Sequence, residues 1–187
     1  DLLSCSEVTE DVTDQVNIRG LALEFLLEVE KGALSHVALR GMLERYQYLD
    51  KQERAFLTRL CEGTLERRLE LDAIINHFSK VPVKKQKPVI RNLLRMSVYQ
   101  LKYMDQVPDS AVCNEAVRLA QKKGFGTLKG FVNGVLRSIA RGIEEISFDD
   151  LSICYSTPQW IVDQWVEEYG KDKAVRMLAD QYAEKPV

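Results

Sequence analysis

Cysteine and histidine are scarce in this 187-residue sequence, and the few that occur do not stand at metal-ligand spacings. The cysteines are Cys5, Cys61, Cys113 and Cys154. No two of them form a C-x-x-C pair, and neither His36 nor His77 has a second histidine or acid at ligand spacing. We therefore expect no metal site and no redox motif, and we interpret Cys61 and Cys113 as small buried residues.

Long apolar runs are lacking as well. The chain has no run of about eighteen apolar residues and no charged-then-apolar leader, which favours a soluble, cytoplasmic protein. The length suits one ordinary domain plus a fragment, and the hydrophobic content of 45% suits a packed core. Residues 1–15 contain five acidic and no basic side chains and show no helical periodicity, so we expect a disordered acidic lead.

Motifs for catalysis are missing too. The sequence has no G-x-G-x-x-G after a strand, no alternation of strands and helices, and no cysteine beside an activating group. Gly124 and Gly126 follow a predicted helix, which argues against a phosphate-binding loop there. We predict that this chain has no catalytic site of its own.

Positive charge is concentrated in one block, although the whole chain has a net charge of −2. Residues 80–141 contain thirteen lysines and arginines against three acidic residues, whereas residues 1–79 and 142–187 each have a net charge of −6. A basic block in an acidic chain is the pattern expected of a surface that contacts a phosphate backbone. Solvated helix faces are the alternative explanation for many of these lysines.

Residues 108–141 have the clearest helical pattern, and we expect the rest of the chain to be organised around them. They read as two helices, the first ending at Gly124 in a left-handed C-cap. The second has an apolar stripe formed by Leu128, Phe131, Val132, Val135, Leu136 and Ile139. Gly130 and Gly134 lie inside that helix, and because interior glycine is costly they predict a closely approaching second backbone.

The other helices follow from the same periodicity. Asp50 followed by Glu53 predicts a capping box that opens a long run to about Phe78, with a bend at Gly63 or in the charged stretch 66–70. Further stripes predict helices near residues 17–32, 35–46, 88–101, 157–170 and 172–182. The predicted fold class is all-α, with a bundle of about seven helices in residues 16–142 and a short helical pair within residues 143–187.

Short motifs in this order and spacing resemble the NusB-like RNA-binding domain. They are Asn114-Glu115-Ala116-Val117, Lys123-Gly124 and Phe131-Val132-Asn133-Gly134-Val135-Leu136, and earlier matches extend back to about residue 17. That domain occurs alone as the antitermination factor NusB and as the N-terminal module of the Sun/RsmB family of 16S rRNA cytosine-C5 methyltransferases. Residues 155–165, with the sequence YSTPQWIVDQW, are similar to the linker of the second group.

The resemblance implies an RNA-binding module that positions 16S rRNA for a methyltransferase domain absent from this chain. S-adenosylmethionine is then expected for the full-length protein, and no cofactor for this chain. One alternative is a NusB-type antitermination factor, which works with a ribosomal protein and usually has an arginine-rich first helix, where this chain offers only Arg19. The other is a protein-interaction scaffold without RNA contact.

We predict that RNA binding depends on the basic block and on one aromatic residue within it. The candidates are Lys84, Lys85, Lys87, Arg91, Arg95, Lys122, Lys123, Phe125, Lys129, Arg137 and Arg141. Arg91 and Arg95 are expected to point outward, so their replacement by alanine should weaken binding and leave the fold intact. Phe125 either folds back onto the turn before Gly124 or stacks on an unpaired base.

Overall fold

The structure is a computed structural model that describes residues 16–181, and every regular element within this range is helical. Its α-helices are α1 (Ile18–Glu30), α2 (Ser35–Arg45), α3 (Lys51–Glu66), α4 (Arg68–Phe78), α5 (Pro88–Tyr103), α6 (Asp109–Lys122), α7 (Lys129–Gly142), α8 (Leu151–Cys154), α9 (Gln159–Tyr169) and α10 (Lys171–Asp180). Single 3₁₀ turns occur at Val83–Lys85, Gly126–Leu128 and Ile143–Glu145. The all-α prediction is confirmed. The predicted disordered lead, residues 1–15, falls outside the described residues.

Helices α1 to α7 form one bundle around α5. Their number agrees with the predicted bundle of about seven helices. α5 contacts α1, α3, α4, α6 and α7. Leu93, Leu94 and Val98 on it are fully buried, and even its polar Ser97 and Gln100 are almost completely covered. The sequence pattern had placed the organising element in residues 108–141, which was wrong. α6 and α7 pack against one another and against α5, and therefore lie on one side of the bundle.

The long helical run predicted from Asp50 to Phe78 is broken into two helices at Arg67. The Asp50 side chain accepts a hydrogen bond from the Glu53 backbone and the Glu53 carboxylate accepts one from the Asp50 backbone, so the predicted capping box is confirmed. Arg67, with φ −99° and ψ 12°, ends α3 and precedes α4. The bend therefore lies within the charged stretch that the sequence pattern indicated.

Close backbone approach occurs in this bundle at a different glycine from the predicted ones. A Cβ atom built on Gly63 of α3 would lie 2.1 Å from the ring of Tyr99 on α5, far inside contact distance. Gly130 and Gly134 are exposed on α7, and a Cβ at either would meet nothing within 4 Å. Their prediction as a helix-contact site was wrong, because the helical spacing places both glycines on the side of α7 opposite its apolar stripe.

The turn after α6 matches its prediction closely. Gly124 has φ +85°, and its N–H donates to the Gln121 carbonyl, while the N–H of Phe125 donates to the Ala120 carbonyl at 2.8 Å. These two bonds form a Schellman motif, in which the residue after the glycine packs onto the helix. Phe125 is half-buried against the core, which favours the packing interpretation of this ring.

The segment after α7, residues 143–181, returns to the bundle and contacts α4. We call this segment the connector. α8, which the periodicity did not predict, lies between α4 and the confirmed helical pair α9–α10. Ser156 adopts a left-handed φ of +45°, and its hydroxyl accepts a hydrogen bond of 3.2 Å from the backbone N–H of Leu69 in the first turn of α4. The first N–H groups of a helix have no partner inside it. A residue of the connector therefore caps a helix of the bundle.

A buried carboxylate lies beside this capped end. Glu70 is only 3% exposed and accepts hydrogen bonds from the Tyr103 hydroxyl and, at 3.0 Å, from the Lys102 ammonium group. Burial, and then the bond to Glu70, raise the pKa of Tyr103. Arg67 joins the same cluster and donates to the carbonyl of Cys154 on α8. The cluster ties α4, α5 and the connector together.

We expect Ser156→Ala to open the connector earlier than the bundle without unfolding the bundle. The substitution removes the cap on Leu69, worth about 1 kcal/mol, and leaves a strained positive φ in place. Hydrogen exchange of the Leu69 amide and of residues 143–181 should become faster, while α5 amides keep their protection. Ser156→Gly is the matched control. It loses the same cap but relieves the strain, so a difference between the two variants reports the strain alone. Equal exchange of the connector in the parent and in Ser156→Ala would contradict the capping role.

No helix within residues 16–181 combines the length and the apolar character needed to cross a bilayer.

Candidate nucleic-acid interface

The eleven residues predicted to contact RNA fall into two sets. One set surrounds the turn between α4 and α5 and comprises Lys84, Lys85, Lys87, Arg91 and Arg95. The other lies along the end of α6 and on α7 and comprises Lys122, Lys123, Phe125, Lys129, Arg137 and Arg141. Lys84, Arg91 and Arg95 line a groove between α1, α3, α4 and α5, whereas no residue of the second set lines it. The groove therefore contains three of the eleven predicted residues, all from the first set.

The groove of the first set has a volume of about 710 Å³ and combines an apolar floor with charged walls. Leu26 and Val29 of α1 and Leu65 of α3 contribute apolar surface. A hydrogen-bonded network crosses it, in which Asn92 donates to both Glu30 and the Pro88 carbonyl and accepts from Arg95. We call this cavity the α1–α5 groove.

Arg91 and Arg95 do not point freely outward, and this part of the prediction was wrong. Arg95 donates two hydrogen bonds of 2.6 and 3.0 Å to the Asp72 carboxylate, and its side chain is only 11% exposed. Arg91 pairs with Glu30 and donates to the Gln86 carbonyl at 3.1 Å. Burial, and then the charge of Arg95, lower the pKa of Arg91. Both guanidinium groups therefore join α5 to neighbouring helices.

We expect Arg95→Ala to destabilise the bundle by about 2 kcal/mol, because it leaves the half-buried Asp72 carboxylate without its partner. Lys85→Ala, an exposed cation removed from the adjacent turn, is the matched control and should cost less than about 0.5 kcal/mol. Urea unfolding of the two variants provides the measurement. If both variants unfold at the same midpoint, the Arg95–Asp72 pair contributes nothing to stability.

Four cations near the groove remain available for a ligand. Lys84, Lys85 and Lys87 are exposed, and the described part of the chain gives none of them an ion pair. Arg68, at the start of α4, is exposed in the same way and lines the groove beside Lys84. Arg68 was not predicted as a contact residue, since it belongs to a mixed-charge stretch outside the basic block. Only the bend at Arg67 brings it to the groove.

The second set includes a continuous polar face on α7. We call it the α7 outer face, and it consists of Lys129, Gly130, Asn133, Gly134 and Arg137, spaced by single helical turns. Arg137 donates from Nε to Asn133 Oδ1 at 3.0 Å, which leaves its terminal nitrogens for another acceptor. α7 contains no acidic residue, and the open space over both glycines lets a ligand approach the helix backbone. Lys122 is exposed near the turn that leads to this face.

The remaining members of the second set have intramolecular neighbours that compete for them. Lys123 lies 3.6 Å from the Glu24 carboxylate of α1. Arg141 lines a small groove together with four carboxylates, those of Asp105, Asp109, Glu144 and Glu145. Nearby carboxylates reduce the positive potential that a phosphate would meet. Lys122, Lys129 and Arg137 are thus better placed than Lys123 or Arg141 to contact an anion.

The described thiols are poor nucleophiles in this fold. Burial raises the pKa of Cys61, Cys113 and Cys154, which keeps all three protonated near neutral pH. Within residues 16–181, no group of three or more histidine, cysteine or acidic side chains is arranged to hold a metal ion.

Comparison with known proteins assigns the helical bundle. Residues 16–141 match the NusB family. The chain belongs to this family. Over 172 residues it is 37% identical to the probable ribosomal RNA small subunit methyltransferase B of Bacillus subtilis, an alignment that covers 87% of this chain and 38% of that protein. The chain thus spans well under half the length of this relative.

Stand-alone members of the NusB family match a shorter part of the chain. The transcription antitermination protein NusB of Acidothermus cellulolyticus is 33% identical over 122 residues, which covers 65% of this chain and 83% of that protein. A solved complex of antitermination factors NusB and NusE with dsRNA is 23% identical and covers 67% of this chain and 94% of the matched chain, with a TM-score of 0.61. This structural likeness supports the fold.

The described residues do not fit the cofactor that the methyltransferase resemblance implies. S-adenosylmethionine is expected at a glycine-rich loop that follows a strand. The glycines with positive φ are Gly32, Gly124 and Gly170, and each follows a helix. No step of a methyl transfer can therefore be assigned to side chains of residues 16–181.

Proposed function

We propose that residues 16–142 form an RNA-binding module that positions ribosomal RNA for a methyltransferase domain outside this chain. Residues 143–181 would connect the two. The observation that carries the proposal is the extent of similarity, because the methyltransferase alignment covers 87% of the chain and the NusB alignment 65%. The longer alignment includes residues beyond the NusB match, as expected if the connector belongs to the same kind of protein.

The charge pattern supports RNA as the ligand. The α7 outer face presents Lys129 and Arg137 without an acidic residue on the same helix. Lysine and arginine bind phosphate oxygens, and most of the affinity of such surfaces comes from the release of counterions. Exposed glycine backbone between the cations lets a phosphate approach the helix closely. This arrangement fits a strand backbone better than a protein partner with a packed apolar interface.

The resemblance to the Sun/RsmB methyltransferases implies the substrate, the methyl donor and the compartment of this function. The substrate would be 16S rRNA, the modified base a cytosine at C5, and the methyl donor S-adenosylmethionine bound outside this chain. The compartment would be the cytoplasm. A NusB-type antitermination factor is the second candidate, and the similarity to NusB of Acidothermus cellulolyticus favours it for the bundle alone.

RNA titration with and without a ribosomal protein partner separates these two functions. We expect this chain to bind a 16S rRNA fragment by itself, with an affinity that falls steeply as salt increases. Fluorescence anisotropy with a labelled fragment, repeated after addition of the antitermination factor NusE, gives both affinities. Binding only in the presence of NusE would favour the antitermination function. No binding under either condition would overturn RNA binding and leave the scaffold alternative.

A further inference from the structure

The α1–α5 groove contains a buried polar group that the fold leaves unsatisfied. Thr64 lies inside α3, is only 1% exposed and lines the groove, and its hydroxyl has no hydrogen-bond partner within the described residues. A threonine inside a helix ordinarily bonds its hydroxyl to the carbonyl one turn earlier. An unmade bond at a buried hydroxyl costs free energy. An unpartnered hydroxyl at a cavity wall points to a ligand that supplies the partner.

The charges around the groove fit one bound anion. Of its four cations, Arg91 and Arg95 are paired with Glu30 and Asp72 across the groove. Arg68 and Lys84 remain without an ion pair in the described chain. The formal charge of the lining is therefore +2, and it comes from the two exposed side chains. A phosphodiester, with one negative charge, suits such a pair.

The interior of the groove fits the base of a nucleotide. Leu26, Val29, Leu65 and Val83 provide apolar surface, and the guanidinium groups of Arg91 and Arg95 line the same groove. Unpaired bases stack on guanidinium planes as well as on aromatic rings, and their edges need hydrogen-bond partners. The Thr64 hydroxyl has no partner within the described residues, but it is covered in the free protein. A side-chain rotamer change, which is common on binding, has to bring it to the edge of the base.

We infer that the α1–α5 groove holds one unpaired nucleotide of a bound RNA strand. Arg68 and Lys84 hold its phosphate, and Thr64 bonds its base. The inference rests on the proposed RNA-binding function and adds a second contact region to the α7 outer face. In this arrangement the Arg91–Glu30 and Arg95–Asp72 pairs hold the groove walls at a fixed spacing. Arg68 and Lys84, which we call the rim cations, stay free to bind the phosphate.

Substitution of Thr64 tests the groove separately from the rest of the surface. Thr64→Val has the same shape without the hydroxyl, and we expect it to weaken the binding of an oligouridylate of about twelve nucleotides by about tenfold. The salt dependence should not change. The thermal midpoint of the free protein should rise, because the unpaired hydroxyl is gone. Thr64→Ser keeps the hydroxyl and should restore the parent affinity, so an effect of packing alone would be recognised.

Neutralisation of the rim cations Arg68 and Lys84 provides a second test of the groove. Arg68→Gln with Lys84→Gln should weaken the same oligonucleotide about fivefold at 0.1 M salt and reduce the slope of log K against log salt by about 0.7, the value for one phosphate of a single strand. If the parent chain fails to bind, the proposed function itself is overturned. If the parent binds and loses affinity only through substitutions on the α7 outer face, the groove is no RNA site and this inference alone fails.

Discussion

Replacement of Lys122, Lys129 and Arg137 by glutamine should lower the affinity for single-stranded RNA about 100-fold at 0.1 M salt. Each neutralised phosphate of a single strand contributes about 0.7 to the slope of log K against log salt, so three contacts contribute about two units. At 0.1 M salt two units of slope correspond to two powers of ten in affinity. The three side chains are exposed, and their removal should leave the unfolding midpoint unchanged.

The matched control carries the same loss of charge elsewhere in the chain. Lys171, Lys173 and Arg176 are exposed on α10, in the acidic C-terminal part. Their replacement by glutamine should change RNA affinity less than about threefold, since only long-range, screened electrostatics connect them to the α7 outer face. Equal loss of affinity in both variants would mean that RNA responds to net charge and not to a surface on α7.

Gly63→Ala should destabilise the bundle by about 3 kcal/mol or prevent its folding. The added methyl group would lie 2.1 to 2.6 Å from two ring carbons and the hydroxyl oxygen of Tyr99, and Tyr99 is itself buried in the core. Either the ring leaves its site or α3 moves away from α5, and overpacking of this kind costs about 1–3 kcal/mol or more. Urea unfolding followed by circular dichroism measures the loss.

The opposite effect is expected at a glycine in open space. Gly41 lies within α2, and a Cβ there would meet nothing within 4 Å. Gly41→Ala should therefore stabilise the protein by up to about 1 kcal/mol through helix propensity alone. If Gly63→Ala were as well tolerated as Gly41→Ala, α3 and α5 could not be packed as closely as the structure has them.

The sequence predicted helices better than it predicted what surrounds them. A period of 3.6 residues is local, and the capping box at Asp50 and the left-handed Gly124 involve residues a few positions apart, so both were visible. Close approach between helices is not local. Gly63 appeared only as a possible bend and proved to be the contact with Tyr99, whereas Gly130 and Gly134 appeared as a contact and proved to be exposed.

The candidate interface shows the same division. The net positive charge of residues 80–141 correctly predicted that Lys84 and Lys129 are exposed cations. The net charge of a segment can be counted without tertiary information. It could not show that Arg95 meets Asp72, 23 positions away, or that Arg68 reaches the groove after a helix break. Thr64 gave no signal at all in the sequence. A single threonine in a helical pattern is ordinary until its missing partner is seen.

The hydrogen bond between Ser156 and Leu69 can form only late in synthesis, after most of the bundle has been made. The two residues are 87 positions apart, so at about 5–20 residues per second the ribosome needs several seconds to make Ser156 after Leu69. During that interval the first turn of α4 forms without its final hydrogen bond, although α4 lies in the bundle against α5. A protein cut after Gly142 would remain in that unfinished state. Its loss of stability would then appear in the middle of the bundle, at Leu69, and not only at the new end of the chain.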